Sequence, residues 1–377
     1  MICRYKVFYL FLLTAPFFNI IGLKFGNAIV QVFILIYLSL TLLMYRKQRI
    51  RSEWVPLLFV LYAGVICLLM SEAHSAINLG RSNISSIRFF GLFIPVLIVY
   101  IFSYNPKVFA DKYLDKLLSF YILVFSFSIM IDYVILHSAL DISLQPMYSK
   151  EDWNYFGRPF GISGQPSVNS VLLVFFYTLV LSRSSFNKSK TLLLFTVMGV
   201  LFQGSGSGFI ALIMLFFVMF GGFHWLIKAL VYACGFLIVA QLVQEFKFLD
   251  KISLLYISGI AQVFMLQIDN WIILVNESYP LLNVLFGGVS SNIDFGPLYF
   301  MSNVGLIYSI LFLMLIVISV VKAKNRYQRF AIFILLVGNL HYPVMFYAIM
   351  VFVLPLLLQQ IIFPVKENIR FSGTRIV

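Results

Sequence analysis

The chain has 377 residues, of which 62% are hydrophobic and only 11% charged. A soluble domain carries about 25% charged residues, so the composition excludes an ordinary soluble enzyme and points to an integral membrane protein. The net charge of +13 is not a nucleic-acid signal in such a chain, because the cytoplasmic loops of membrane proteins are themselves rich in Lys and Arg.

The apolar runs reach the roughly 20 residues needed to cross hydrocarbon. Twelve spans are expected, near 7–23, 28–45, 54–70, 89–104, 117–136, 167–182, 191–202, 209–223, 229–244, 298–320, 330–340 and 344–363. The expected fold is therefore all-α, a single polytopic membrane domain over residues 1–377 with about 12 transmembrane helices. The first residues, Met1 to Lys6, lead into an apolar run without a small-residue cleavage site and read as the start of an uncleaved span. Cys3, Cys67 and Cys234 lie in or near apolar segments, so no disulfide is expected, and no Cys/His spacing suits a metal.

Charge sets the orientation. With the N-terminus in the cytoplasm, 20 of the 27 Lys and Arg fall inside, and seven (Lys24, Arg81, Arg88, Lys150, Arg158, Lys247 and Lys251) fall outside. Both termini are then cytoplasmic, and the two large loops, about 137–166 and 245–297, face the periplasm. Within the second loop, residues 252–268 are apolar enough to tempt a further span. That span would put Lys322 to Arg329 outside, so a helix lying in the interface or dipping back is expected, with Trp271 and Tyr279 at the headgroup level. Asp132 lies in the outer part of the fifth span, where an acid is costly and usually paired.

This orientation starts every even-numbered span at the outer face, with its positive dipole end there. The polar signatures gather at those starts: Ser85 to Arg88, Arg158 to Asn169, Gly204 to Gly208, Asp294 to Pro297, and His341 to Pro343. In the second of these, Gly157, Gly161 and Gly164 punctuate a loop, Pro166 stands where a helix would start, and Ser167 offers a capping hydroxyl. Arg158 beside that helix start makes a site for an anion; the alternative is a hydrated Arg158 on a plain connecting loop. Gly204 to Gly208 lacks the Lys of a nucleotide phosphate loop and reads as a tight turn or close helix packing. Arg88 is either an anion contact or a snorkelling anchor. Asp294 is either a functional acid or a cap for the tenth span, and His341 either a base or a hydrogen-bonded structural group.

Three local patterns, in this order and topology, resemble the O-antigen polymerases, the Wzy-type members of the polymerase–ligase superfamily. They are Arg158-Pro159-Phe160-Gly161 with Gln165-Pro166-Ser167-Val168-Asn169, then Gly204 to Gly208, then Leu285-Phe286-Gly287 through Asp294 to Gly305-Leu306. The resemblance implies a bacterial inner-membrane glycosyltransferase of lipopolysaccharide biosynthesis. It would join oligosaccharide repeat units carried on undecaprenyl diphosphate at the periplasmic face, with no metal or other cofactor and no nucleic-acid partner. Arg158, Asp294 and His341 would be catalytic. Arg81, Arg88, Gly161, Gln165, Asn169, Ser205 and Asn292 would hold the substrate. Membrane lipid and a chain-length regulator protein would be its partners. Two departures, Gly206 and Asp269-Asn270, stand where many relatives carry an Arg, which disfavours the related ligase activity. A lipid-linked oligosaccharide flippase is the alternative of another class. It would show internal repeats and polar residues at mid-membrane, whereas here the polar residues gather at one face.

The orientation predicts that single cysteines placed at Lys150 and Lys251, in a chain lacking the three native ones, react with an impermeant thiol reagent in whole cells. Cysteines at Lys112 and Lys324 should stay unlabelled until the membrane is opened; the reverse pattern would invert the topology.

Overall fold

The structure, a computed structural model, describes residues 12–17, 111–138, 158–183, 186–220, 254–276, 279–287 and 295–341, with isolated positions at 63–73 and 344–354. Among the described residues every regular element is helical and no strand occurs. In chain order the helices are α1 (Asp111–Leu136), α2 (Pro166–Arg183), α3 (Phe186–Gln203), α4 (Gly206–Phe220), α5 (Leu254–Asn276), α6 (Pro280–Phe286), α7 (Gly296–Lys322) and α8 (Arg326–His341). The spans expected at 28–45, 89–104 and 229–244, and most of those at 7–23, 54–70 and 344–363, lie outside the described residues.

Three helical segments are long and apolar enough to cross a membrane: Leu114–Leu136, Pro166–Arg183 and Gly305–Lys322. Even the shorter two, at 18 residues, span about 27 Å at 1.5 Å per residue, close to the hydrocarbon thickness. Helices α3 and α4 are apolar but shorter. This is the pattern of an all-α membrane protein.

Helix α2 is the axis of the described bundle. Every residue from Pro166 to Leu181 is buried, because α1, α3, α4 and α8 pack around it. This enclosure suits a helix that carries Ser167, Asn169, Ser170 and Thr178 among its apolar residues, since its polar side chains face protein. Its Phe176 ring sits 5.2 Å from Tyr121 and 5.7 Å from Phe125 of α1, at tilted and edge-on angles that aromatic pairs favour. Tyr121 also donates its hydroxyl to Leu12 O at 2.7 Å, tying the N-terminal segment to α1. Small residues let the helices close up. A side chain at Gly208 of α4 would collide with Ser170, one at Gly338 of α8 with Val171, and one at Gly199 of α3 with Leu173. Close approach through small residues is the usual means of helix association in a membrane.

Contacts between helix ends show the alternation expected from the sequence. Arg183 at the end of α2 pairs with Asp115 near the start of α1 at 2.7 Å. Asn325, just before α8, donates to Ser182 O at 3.1 Å, and Arg326 reaches Met219 O at the end of α4. These ends form one side of the bundle. It collects Lys112, Lys116, Arg183, Lys188, Lys190, Lys322, Lys324, Arg326 and Arg329. Among the described residues Arg158 is the one Lys or Arg at the opposite end.

Two regions differ from expectation. The tenth span is broken. Helix α7 starts at Gly296, and at Gly305 the backbone leaves the helical region with φ 78° and ψ 171°, a conformation reserved for glycine. The tip of α6 closes on this point, and its Leu285 and Phe286 backbone occupies the space a Cβ would need, so only glycine fits. The apolar crossing segment therefore begins at Gly305. The preceding turn carries Ser302 and Asn303, whose side chains bond back to Tyr299 O at 3.1 and 2.6 Å. The large loop at 245–297 also holds more helix than expected. Helix α5 continues to Asn276, and Asn283 of α6 donates to its Val275 O at 2.9 Å. Trp271 does not simply float at a surface: its indole N–H is buried without a hydrogen-bond acceptor among the described residues.

Two glycines only two residues apart separate packing from mere turn chemistry. Gly206 has open space where a Cβ would stand, whereas Gly208 meets Ser170. Gly206→Ala is expected to leave thermal stability in detergent unchanged or raise it by up to about 1 kcal/mol. Gly208→Val should lower it by about 1–3 kcal/mol through overpacking. Equal midpoints for both variants would remove the α2–α4 contact from the account.

Candidate functional site

The site is built on residues 158–165, the irregular stretch that leads into α2 between apolar helices. Unpaired backbone groups in such surroundings are costly, so non-helical chain persists there only where protein groups satisfy it. Three helices do so. From α1, Asp132 Oδ2 accepts the Gly161 N–H at 2.6 Å and Ser128 Oγ accepts the Ile162 N–H at 3.2 Å. From α2, Asn169 Oδ1 accepts the Ser163 N–H at 3.1 Å while its Nδ2 donates to Phe160 O. From α3, Gln203 Nε2 donates to Pro159 O. Asp132, Asn169 and Gln203 are all 0% exposed.

The local sequence folds this way for identifiable reasons. Gly161 takes φ +61°, and a Cβ there would lie 2.5 Å from Asn169 Nδ2, so no other residue fits. Gly164 N–H then closes a turn onto Gly161 O at 3.3 Å. Ser163 Oγ accepts the Gln165 N–H at 3.2 Å and donates to Gln165 O at 3.1 Å. Gln165 O in turn accepts the Asn169 N–H, so Gln165 holds the capping position and Pro166 the first helical one. Ser167, expected as the cap, instead accepts a hydrogen bond from Ser205 Oγ at 3.3 Å, and Ser205 also meets Ser207 Oγ at 3.0 Å. Ser205 O accepts the Phe209 N–H as α4 begins. The Gly204 to Gly208 segment is thus a turn, with Gly204 at φ +60°, followed by close packing.

Two helix starts meet at this end of the bundle, and the start of α7 packs there against the end of α8. The Ser205–Ser167 bond joins those of α4 and α2. Gly338 of α8 lies against Val171 of α2, and the next residue, Asn339, lies against Gly296 at the start of α7. Each start carries a partial positive charge. Arg158, half-buried at the mouth of the pinned loop, makes no ion pair or hydrogen bond among the described residues. What the arrangement offers chemically is a guanidinium without a protein partner among the described residues, on a loop whose next residues are pinned by buried hydrogen bonds, a group suited to an anion with several oxygens.

The residues singled out in the sequence divide into three groups. Arg158, Gly161, Gln165, Asn169 and Ser205 come together here, although Asn169 and Ser205 are occupied with loop and helix contacts. His341 is the last residue of α8, the helix that brings Asn339 to the start of α7. Arg81, Arg88, Asn292 and Asp294 lie outside the described residues. The capping position of α7 belongs to Phe295, which provides no side-chain cap and whose N–H donates to Gln267 Oε1 at 2.7 Å. Sequence reasoning noted Asp132 only as an acid needing a partner, and it passed over Ser128, Gln203 and Asn339. Gln203 had one signal, an amide closing an apolar helix directly before Gly204. Its Oε1 and Asn339 Oδ1 are buried acceptors without a hydrogen-bond partner among the described residues. Among the described residues no cluster of His, Cys, Asp or Glu could hold a metal ion.

Removing a side chain that holds the loop leaves buried backbone groups unpaired, at about 1–3 kcal/mol each. Asn169→Ala orphans both the Ser163 N–H and the Phe160 carbonyl, and is expected to destabilise the protein by about 2–6 kcal/mol. Asp132→Asn keeps an acceptor oxygen for Gly161 and should be milder than Asp132→Ala. Hydrogen exchange of the 158–165 amides, measured in detergent, should accelerate in Asn169→Ala and Asp132→Ala. Unchanged exchange would show that the loop is held by other means.

No protein-family profile matches the chain, and no curated protein or solved structure matches it, so the chemistry of this end rests on its own residues.

Proposed function

We propose that the chain is an O-antigen polymerase that joins oligosaccharide repeat units carried on undecaprenyl diphosphate at the outer face of a bacterial inner membrane. The observation that carries this reading is Arg158. It is the one described cation at its end of the bundle, it has no protein partner among the described residues, and it sits on a loop fixed by buried hydrogen bonds from three helices. A planar guanidinium binds two phosphate oxygens at once, which suits a lipid-linked diphosphate better than a neutral substrate.

In the proposed reaction a hydroxyl oxygen of the incoming unit attacks the anomeric carbon of the growing glycan. The bond from that carbon to the diphosphate oxygen breaks, and the lipid diphosphate leaves with its electron pair. No nucleotide is needed, because the sugar–diphosphate bond supplies the driving force. Arg158 and the helix starts stabilise the departing charge. The proton of the attacking hydroxyl goes to a base within hydrogen-bond reach; Asp294 is the first assignment, ionised at neutral pH, and His341 the second. Arg81, Arg88 and Asn292 complete the substrate contacts in this reading.

Deletion of the gene tests the reaction class. A polymerase defect leaves lipopolysaccharide bearing a single repeat unit, whereas complete absence of repeats would indicate a flippase or ligase, and an unchanged ladder would overturn the reading altogether. Complementation tests the cation. Arg158→Ala is expected to lower chain extension about a hundredfold or more, the usual cost of losing a charge-stabilising donor, and Arg158→Lys should restore it only in part. Full-length chains from Arg158→Ala at normal protein level would make Arg158 an ordinary loop residue.

A further inference from the structure

The opposite, cation-rich end carries a second feature that the polymerase reading does not use. Between the end of α7 and the start of α8, Lys322, Lys324, Arg326 and Arg329 fall within eight residues, and all four are exposed. The turn that presents them is fixed. Lys324 N–H donates to Gln328 Oε1 at 2.9 Å, Gln328 N–H donates to Asn325 Oδ1 at 2.8 Å, and Asn325 Nδ2 anchors to Ser182 O at 3.1 Å. Arg326 lies 5.0 Å over the Tyr327 ring and reaches Met219 O, the carbonyl end of α4, at 3.4 Å. The one described acid at this level with an ion pair, Asp115, is engaged by Arg183.

Directly beyond these cations the surface turns apolar. Leu313, Val317 and Val321 of α7 are exposed, the last at 75%, as are Phe217 and Phe220 of α4 and Phe333 of α8. Helix α8 packs against both α4 and α7, so its outward residues Arg326, Arg329 and Phe333 lie between the two apolar columns. The face is therefore cationic at one edge and hydrocarbon-like over the next two or three turns. That sequence of polarity complements a phospholipid with a negatively charged headgroup: phosphate at the edge, acyl chains along the helices. Basic clusters flanking a membrane helix on its charged side draw anionic lipid in this way.

We propose that the α4–α8–α7 face is an anionic-phospholipid site, with Lys324 and Arg329 as headgroup contacts and Leu313, Val317, Val321 and Phe333 along the acyl chains. The proposal is independent of the polymerase reading. Phosphatidylglycerol and phosphatidylcholine of identical chains are titrated into the full-length protein in detergent, and bound lipid is counted by native mass spectrometry. Phosphatidylglycerol should bind preferentially. Lys324→Gln/Arg329→Gln should weaken it by about twenty-fivefold, at roughly fivefold per cation, and Lys324→Gln alone should show the single step of about fivefold without touching the Arg329–Ala323 contact. Lys188→Gln/Lys190→Gln, which removes the same charge at the same end but on α3, should leave the affinity unchanged. Equal binding of the two lipids, or an equal loss in the α3 variant, would reduce the site to a diffuse surface potential and overturn the proposal.

Discussion

The buried hydrogen bonds of residues 158–165 are the constraint on which the rest of this end depends. Eight residues of irregular backbone stand among helices that are otherwise apolar, and their polar groups cannot look to lipid for partners. Asp132, Asn169 and Gln203 supply them from three different helices. Each of these side chains would itself be a liability at 0% exposure. Together they offset much of that liability, although Gln203 Oε1 keeps no partner among the described residues, and they tie α1, α2 and α3 to one loop. The Gly161 N–H donates to Asp132 Oδ2 at 2.6 Å, which ties the turn directly to α1.

From this lock follows the placement of charge. A helix start contributes roughly half an elementary charge, and the effect fades beyond the first turn. One such end is weak support for a diphosphate carrying two negative charges. In the proposed reading the starts of α2 and α4, joined by Ser205–Ser167, add positive potential to that of Arg158, which the C-terminal ends of α3 and α8 at the same side of the bundle partly offset. The close glycine contacts thus matter for function in the proposed reading as well as for packing. Without them the helix starts stand too far apart to act on one ligand.

Much of this was legible in the sequence, for physical reasons that differ by element. The apolar length of α1, α2 and α4 and the loop-by-loop bias of Lys and Arg gave the up-and-down alternation, because hydrocarbon thickness and the positive-inside bias act on composition directly. Pro166 announced the start of α2, and Gly161 the turn before it. What the sequence hid depends on contacts between segments far apart in the chain. Ser167 read as a cap but lies inside the first turn, paired to a residue 38 positions away. Nothing local in Gly305 betrays that α6 will press its backbone there and break α7. Asn169 read as a substrate contact and Gln203 drew no notice; only the fold reveals that their amides hold the loop.

The same charge distribution that orients the chain also limits how the site can work. Nine of the ten described Lys and Arg lie at the far end, so no cluster of cations backs up Arg158 among the described residues. Adding one would work against the bias that directs insertion. Helix starts escape that conflict. They carry positive potential without counting as Lys or Arg, and they are delivered wherever an outer-to-inner helix begins. In the proposed reading, a membrane protein that handles an anion on its cation-poor side is driven toward helix starts, small residues that let helices close up, and one arginine beside a loop pinned by buried hydrogen bonds.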